Sequence, residues 1–244
     1  MGERWLKAEL HSHCHLDPHD HRFCTCSPEA LIREAARLGY EVLAITCHCL
    51  DIWSGQLAEY AAGFGITLIP GMEVYVAGRC HVLVYNFHTD ARSLDSMAKI
   101  RALRREDTLV IAPHPFFPAP TSLGRLLERN LDLFDAIECS GFYTPAIDFN
   151  HKARRLALER GKPMVGCADA HFLWQLGKTF TRIYAEPGIE TVIGAVKRGL
   201  VRVETHPLSF QEVSRWWADA LRYALFPPDR TRRERAGRFA PRGT

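Results

Sequence analysis

The sequence contains no apolar run long enough to cross a membrane. A spanning helix needs roughly 20 consecutive apolar residues, and the longest apolar stretch, residues 61–78, is interrupted by Pro70 and Glu73. Charge occurs early, at Glu3 and Arg4, and the apolar segment of a secretory signal does not follow. We therefore expect a cytoplasmic protein with no membrane partner.

Cysteine pairs with the spacing of structural zinc sites are also missing. The 244 residues include eight cysteines, which in a cytoplasmic chain are expected to be reduced thiols rather than a disulfide framework. Cys24 and Cys26 are separated by one residue, as are Cys47 and Cys49, and no Cys-x-x-Cys pair accompanies them. This spacing argues against a zinc site built from cysteines alone.

The body of the chain lacks the positive charge of a nucleic-acid-binding domain. The formal net charge is +3, but residues 227–244 hold six arginines against two acids, a net +4, so residues 1–226 carry −1. A domain that tracks a polynucleotide carries its positive charge on the fold itself. We expect residues 1–226 to form one domain and residues 227–244, which begin with two prolines, to be a disordered Arg-rich tail.

Short apolar runs alternate with amphipathic segments along residues 1–226, a pattern typical of parallel sheets with right-handed crossovers. Strands are predicted at residues 6–10, 42–46, 67–69, 82–85, 109–112, 136–138 and 164–167. Helices are predicted at residues 28–38, 55–64, 94–104, 122–129, 150–160, 190–198 and 209–226. Seven strand–helix units favour an α/β fold of the βα-barrel type, smaller than the eight-fold form, with an open doubly wound sheet as the alternative. The last helix is expected to pack across the bottom of the barrel.

Histidines and acids follow the predicted strands at the points where the strands end. They are His11 and His13 after the first strand, His48 after the second, Glu73 after the third, and His114, Asp169 and His171 after later ones. Active sites of βα barrels lie at the carboxyl ends of the strands. Side chains at i and i+2 of an extended segment face the same side, so His11 with His13, and Asp169 with His171, can each point toward one centre. Because imidazoles suit zinc, iron and manganese, and carboxylates can bridge two ions, the pattern predicts a metal centre.

Six segments of the chain resemble, in order, the successive motifs of the polymerase and histidinol phosphatase (PHP) family of metal-dependent phosphoesterases. The segments are "ELHSHCHLDPHD", "LAITCH", "IPGMEV", "CHVLVYNF", "IAPHPFF" and "GCADAH". The similarity extends from about Leu10 to Thr205. It implies a distorted (β/α)7 barrel, two or three divalent ions, usually zinc, manganese or iron, and hydrolysis of phosphate mono- or diesters. Substrates in the family include histidinol phosphate, nucleotides and nucleic-acid ends.

The resemblance also implies a set of metal ligands. A first ion would be held by His11, His13, Glu73 and Asp169. A second would share Glu73 and use His114 and His81. A third would use His48, His171 and one ligand from the loop after His13. Asp20 is favoured as that loop ligand, with His19 and Asp17 as alternatives, and structural packing is an equally good interpretation of His81.

The resemblance further implies how the site would work. Two adjacent ions activate water and neutralise charge on the attacking and leaving oxygens of a phosphate ester. Glu73 would bridge the ions, and His48 and His171 would bind the phosphate or protonate the leaving group. Arg22 and Lys178 are candidates for binding charge on the substrate. Many family members have Thr-Asp-His where this chain has Thr46-Cys47-His48, so a carboxylate that commonly supports neighbouring ligands is missing here.

The nearly neutral body favours a small phosphorylated metabolite or nucleotide as substrate, with a nuclease acting on nucleic-acid ends as the alternative. A metal-dependent amidohydrolase also begins with His-x-His, but it fits the placement of Glu73 and the Asp169-x-His171 ending poorly. A non-catalytic metal-binding module is a further alternative. Five aromatic residues are candidates for a wall that stacks on a base or an imidazole ring: Phe116, Phe117, Phe142, Tyr143 and Trp174.

Overall fold

The structure is a computed structural model in which residues 2–226 are described. Its strands are β1 (Arg4–Glu9), β2 (Val42–Ala44), β3 (Thr67–Ile69), β4 (Gly71–Val76), β5 (Cys80–Tyr85), β6 (Leu109–Ala112), β7 (Ala136–Ser140), β8 (Met164–Cys167), β9 (Thr179–Ala185) and β10 (Val201–Thr205). Its α-helices are α1 (Pro28–Arg37), α2 (Gly55–Ala62), α3 (Met97–Leu103), α4 (Arg125–Arg129), α5 (His151–Arg160), α6 (Ile189–Lys197) and α7 (Phe210–Leu225). The tail predicted for residues 227–244 lies outside the described residues.

The strands form two five-stranded sheets, ordered β10-β9-β1-β2-β3 and β4-β5-β6-β7-β8. Four pairings are parallel, namely β1 with β2, β2 with β3, β6 with β7 and β7 with β8. The pairings of β9 with β1 and β10, and of β5 with β4 and β6, are antiparallel. The fold is therefore mixed α/β: the predicted parallel pairing is present in both sheets, and each sheet also contains antiparallel pairs that were not predicted.

Three strands were not predicted, each for an identifiable reason. The turn predicted around Glu73 is instead β4, which forms an antiparallel hairpin with β5. This hairpin closes at Ala77 and Gly78, both with positive φ, of 50° and 87°. In β9 and β10, charged residues interrupt the apolar pattern, and Arg182 Nε of β9 donates to Glu204 Oε1 of β10 at 2.8 Å. Strands β9 and β10 each have one partly exposed face, so they are not continuous apolar runs and were not recognised as strands.

The two sheets meet just beyond the carboxyl ends of their parallel strands. Two isolated parallel bridges join them, Ser12 with Ala170 and His48 with Glu73. Among the described residues the strands make two hydrogen-bonded sheets rather than one closed cylinder. The bridges involve or flank the predicted ligands, so the junction of the sheets and the candidate site lie at the same end of the fold.

Apolar side chains of both sheets form a common core. Leu6, Val42, Ile111 and Val165 pack in one buried cluster with residues of α6. A second cluster lies under α1 and α2, and a third lies under α3, α4 and α5. The helix α1 begins as predicted, with the Ser27 side chain accepting a hydrogen bond from the backbone N–H of Ala30. No helix within residues 2–226 is both long and apolar enough to span a bilayer.

The last helix does not lie at the bottom of the fold, which corrects the prediction for residues 209–226. Its Trp216 packs on Phe142, with ring centroids 5.1 Å apart, and lines the same cavity as Asp169 and His171. The loops after β7 and β8 supply aromatic contacts for this helix, including Phe172 against Tyr223 at 5.9 Å. The helix α7 therefore borders the candidate site.

Candidate metal centre

The residues predicted as metal ligands converge at the carboxyl ends of the parallel strands, although they come from six separate segments of the chain. A cavity of about 190 Å³ opens there. Seven of the nine predicted ligands line it: Asp20, His48, Glu73, His81, His114, Asp169 and His171. The other two, His11 and His13, are fully buried directly beneath. The structure thus brings all nine into one region.

Glu73 lies at the centre of this region. Its side chain is 1% exposed, and five histidine rings each place a nitrogen within 3.5 Å of one of its oxygens. The contacts to Oε2 are His11 Nε2 at 3.3 Å, His13 Nε2 at 3.5 Å and His48 Nε2 at 3.1 Å. The contacts to Oε1 are His81 Nδ1 at 2.7 Å and His114 Nε2 at 3.5 Å. One carboxylate cannot accept good hydrogen bonds from five rings, whereas a carboxylate that bridges ions has such neighbours.

Asp169 is a second point of convergence. Its Oδ1 lies 3.3 Å from both His11 Nε2 and His13 Nε2, and 3.7 Å from His171 Nδ1. Asp169 and His114 both adopt positive φ, of 48° and 27°. Non-glycine residues rarely adopt this left-handed region, and such strain concentrates at functional sites.

Several buried polar atoms of the region make no hydrogen bond of acceptable geometry, even where another ligand atom is close. They are His13 Nε2, Glu73 Oε1, both ring nitrogens of His81, and Asp169 Oδ1. An unpaired buried polar atom costs about 1–3 kcal/mol, so a cluster of them is unfavourable unless another group satisfies it. Five groups of three residues could each hold an ion, because the three ligand atoms of each group lie within 4.8 Å of one another. One such group is His11, His13 and Glu73. This nitrogen and oxygen donor set fits zinc, manganese or iron.

The loop after β1 supplies an acid that orients two of the rings. Asp17 is fully buried, and its Oδ2 accepts hydrogen bonds from His13 Nδ1 at 2.8 Å and from His48 Nδ1 at 3.0 Å. Its Oδ1 accepts the backbone N–H groups of His19 and Asp20, both at 2.8 Å. Asp17 thereby holds the Nε2 atoms of both rings toward Glu73, and it also fixes its own loop.

The three loop residues left open by the sequence therefore have different surroundings. Asp20 Oδ2 lies 3.0 Å from His171 Nε2 and 3.7 Å from His48 Nδ1, on the side of the cavity that faces solvent. The ring of His19 packs against Tyr75, with centroids 5.0 Å apart. The implied third ligand group is only loosely assembled, because the tight groups place His48 with Glu73 and His81, or with His13 and Asp17, rather than with His171.

Asp17 also occupies the role of the acid missing from Thr46-Cys47-His48. The Cys47 thiol turns away from the histidines and lies 3.5 Å from Cys14 Sγ. Sequence reasoning considered Asp17 only as a metal ligand. Two features of the sequence could have indicated this orienting role. Asp17 lies four residues after His13, and Cys47 stands where many PHP sequences have an acid.

Two further buried acids support the ligands and were not predicted. Glu138, at the carboxyl end of a predicted strand, accepts a hydrogen bond from His11 Nδ1 at 2.8 Å and one from the backbone N–H of His114 at 3.2 Å. Glu9 accepts the backbone N–H groups of His11 and Ala168, at 3.0 and 3.1 Å. Burial raises the pKa of Glu9 to about 8. Acids within otherwise apolar strands are the signal that identifies such residues.

The electrostatics of the region favour positive charge. Burial lowers the pKa of His48, but the charge of Glu73 and the hydrogen bond to Asp17 outweigh it and raise that pKa to about 11. For His171, burial is likewise outweighed, here by Asp20 and the neighbouring Asp169, and the pKa rises to about 9. Burial raises the pKa of Glu73, yet the surrounding histidines hold it well below its usual value. In the metal-free protein, protons on the rings supply the cationic charge that metal ions can supply instead.

The predicted substrate-binding cations do not reach the cavity. Lys178 Nζ forms an ion pair with Glu212 at 2.7 Å, and Arg22 is exposed. Of the five aromatic candidates, Phe117 and Phe142 line the cavity, whereas Phe116, Tyr143 and Trp174 do not. Trp216, which was not predicted, completes the aromatic lining.

Comparison with known proteins agrees with this fold. A family model described as PHP-associated matches residues 148–201. An uncharacterized protein of Methanocaldococcus jannaschii is 26% identical over 106 residues, which cover 43% of this chain and 62% of that protein, less than two thirds of its length. The lesion-specific endonuclease EndoQ from Pyrococcus furiosus has a similar fold, with a TM-score of 0.58, 16% identity, and coverage of 88% of this chain and 66% of that one. A Bifidobacterium adolescentis protein described as a metal-dependent phosphoesterase gives a TM-score of 0.54 and 13% identity, over 79% of this chain and 94% of that one.

The fold is mixed α/β, and the clusters of histidines and acids at its strand ends could hold metal ions. The chain is similar to the PHP-associated family model over residues 148–201, and its fold is similar to those of a lesion-specific endonuclease and a metal-dependent phosphoesterase.

Proposed function

We propose that this protein hydrolyses a phosphate ester with a centre of two or three divalent ions, zinc, manganese or iron. The observation that carries the proposal is the convergence of five histidine rings on the Glu73 carboxylate. A single ion does not need this number of ligands, and Glu73 has an oxygen for each of two ions. When bound, the ions would activate water and neutralise the charge of the phosphate.

The nine candidate ligands take the roles that the motifs imply. His11, His13, Glu73 and Asp169 would hold one ion, and Glu73, His81 and His114 a second. The short distance of 2.7 Å from His81 Nδ1 to Glu73 Oε1 favours ligation over packing for His81. His48, His171 and Asp20 would complete a third, more open site. Asp17 and Glu138 would orient the rings that they contact rather than bind an ion.

His171 is the favoured proton donor to the leaving group. Its side chain is 18% exposed, against 0% for His11 and His13, so it lies where a leaving group would depart. Asp20 accepts a hydrogen bond from its Nε2 at 3.0 Å and thereby holds the ring in place. When the third site holds no ion, a protonated His171 or His48 can donate its proton to the leaving oxygen.

We also infer a distorted (β/α)7 barrel for residues 1–226 as one PHP-type domain. The two bridges, Ser12 with Ala170 and His48 with Glu73, join the sheets on both sides of the site, as the two halves of a distorted barrel would be joined. Cytoplasmic location remains a prediction.

The favoured substrate is a small phosphorylated metabolite or a nucleotide. The body carries a net charge of −1, and neither Arg22 nor Lys178 lies at the cavity. A polynucleotide would need several fixed cationic contacts. A nuclease acting on nucleic-acid ends is the alternative.

A substrate panel tests the proposal. Manganese-loaded protein should release phosphate from AMP, ribose 5-phosphate or histidinol phosphate, and a chelator should stop the reaction. Glu73→Gln should lower turnover by several orders of magnitude, whereas Glu128→Gln, at a surface ion pair with Lys152, should leave it unchanged. Faster cleavage of single-stranded oligonucleotides would assign the chemistry to a nuclease. Absence of hydrolysis of every ester by the metal-loaded protein would refute the proposal.

A further inference from the structure

One wall of the cavity is aromatic and faces the metal-ligand cluster. Phe117, Phe142 and Trp216 form this wall, with Phe117 edge-on to Phe142 at 6.0 Å and Phe142 tilted against Trp216 at 5.1 Å. The three rings are half-buried, so part of each face is open to the cavity. They come from three separate elements: the loop after β6, the loop after β7, and α7.

Three contacts fix the helix that carries Trp216. Glu212 pairs with Lys178 at 2.7 Å, and Asp219 accepts a hydrogen bond from Trp174 Nε1 at 3.2 Å. Tyr223 stacks on Phe172. Because these contacts span several turns of α7, the Trp216 ring is positioned before any ligand binds, which reduces the entropy cost of binding against it.

The cavity has no cationic side chain outside the ligand cluster. Among the described residues, its lining contains no lysine or arginine, so only the ligand cluster and its ions can neutralise substrate charge. A second phosphate, placed away from that cluster, would lose hydration without gaining a partner. The site therefore suits one phosphate and one uncharged group.

We propose that the aromatic wall binds a flat ring in the alcohol part of the ester, so that the substrate is a nucleoside monophosphate or a monoester of similar shape. This inference rests on the proposed phosphoesterase function and specifies its substrate class. The phosphate lies at the ligand cluster, and the ring stacks against Trp216 and Phe142. Stacking of a base on an aromatic side chain is a sequence-tolerant and substantial source of affinity.

Two substrates with the same scissile bond test the inference. AMP and ribose 5-phosphate share the leaving ribose oxygen and differ in the base. Manganese-loaded protein should favour AMP by about 5- to 150-fold in kcat/KM, mainly through KM, which is the range that one stacked base contributes. Trp216→Leu should reduce this preference to near unity, chiefly by raising KM for AMP.

Phe210→Leu is the matched control, because Phe210 is an aromatic residue of the same helix, is 85% exposed and does not line the cavity. It should keep the preference for AMP. Calorimetric binding of adenosine and of ribose gives a readout independent of hydrolysis, and adenosine should bind more tightly only when Trp216 is present.

Each outcome is informative. Equal efficiency on AMP and ribose 5-phosphate, without a preference for adenosine, would overturn the aromatic-ring inference and leave the phosphoesterase proposal standing. Loss of the preference in Phe210→Leu as well would also overturn it. Trp216-dependent adenosine binding without hydrolysis of either ester would support the aromatic site while contradicting the phosphoesterase proposal.

Discussion

Asp17 holds His48 by two contacts, accepting a hydrogen bond from its backbone N–H at 2.8 Å and another from its Nδ1 at 3.0 Å. The same oxygen accepts a hydrogen bond from His13 Nδ1, so one carboxylate orients two candidate ligands. Asp17→Asn keeps the size but removes the charge and one acceptor oxygen. We expect metal affinity to fall about 10- to 100-fold, the usual effect of losing such an orienting acid, as measured by competition with a chelating indicator.

The control for this variant is Asp95→Asn, at an exposed ion pair with Lys99. It should bind metal as the unsubstituted protein does. Unchanged affinity in Asp17→Asn would mean that the rings are held without Asp17.

Metal binding should release protons. The pKa values of His48 and His171 rise to about 11 and about 9 in the metal-free protein, so both rings are protonated near neutral pH and must lose protons to bind an ion. The pKa of Glu73 is held well below its usual range, so this group contributes none. Affinity should therefore fall as pH falls from about 8 to about 6. Calorimetry in buffers of different ionisation enthalpy measures the release, and binding heats independent of the buffer would contradict it.

Close packing between the strands should make Gly166 intolerant of a side chain. A Cβ at Gly166 would lie 2.8 Å from both Phe180 O and Val203 Cγ1. We expect Gly166→Ala to lower the free energy of unfolding by about 1–3 kcal/mol, the usual cost of overpacking. Gly55→Ala makes the same change at the start of α2 with nothing within 4 Å, and it should be neutral or slightly stabilising. Equal melting temperatures of the two variants would show that β8 can shift away from its neighbours.

The sequence predicts the parallel half of the fold well, because buried parallel strands are continuous apolar runs. β3, β6 and β8 have the predicted bounds. The candidate ligands were selected by their position at strand ends and by the family resemblance, and the structure brings them together. Asp169 Oδ1 and His11 Nε2, which are far apart in sequence, lie 3.3 Å apart.

The features that escaped prediction depend on long-range contacts. Arg182 and Arg202 interrupt the apolar pattern of two strands whose partners are antiparallel neighbours. The apolar side of α7 is compatible with any apolar surface, and only the loops carrying Phe142 and Phe172 determine that it borders the cavity. Likewise, the choice between ligand and orienting acid for Asp17 depends on where its oxygens point.

The most direct test of the account is a titration of metal-free protein with Mn²⁺, in which bound metal and phosphate release from AMP and ribose 5-phosphate are measured in the same samples. The account predicts at least two bound equivalents per chain, with turnover absent before metal is added and appearing as the second equivalent binds. Glu73→Gln should bind fewer ions and remain inactive. Binding that saturates at one equivalent, full turnover without metal, or near-normal turnover of Glu73→Gln would contradict a multinuclear centre built around Glu73.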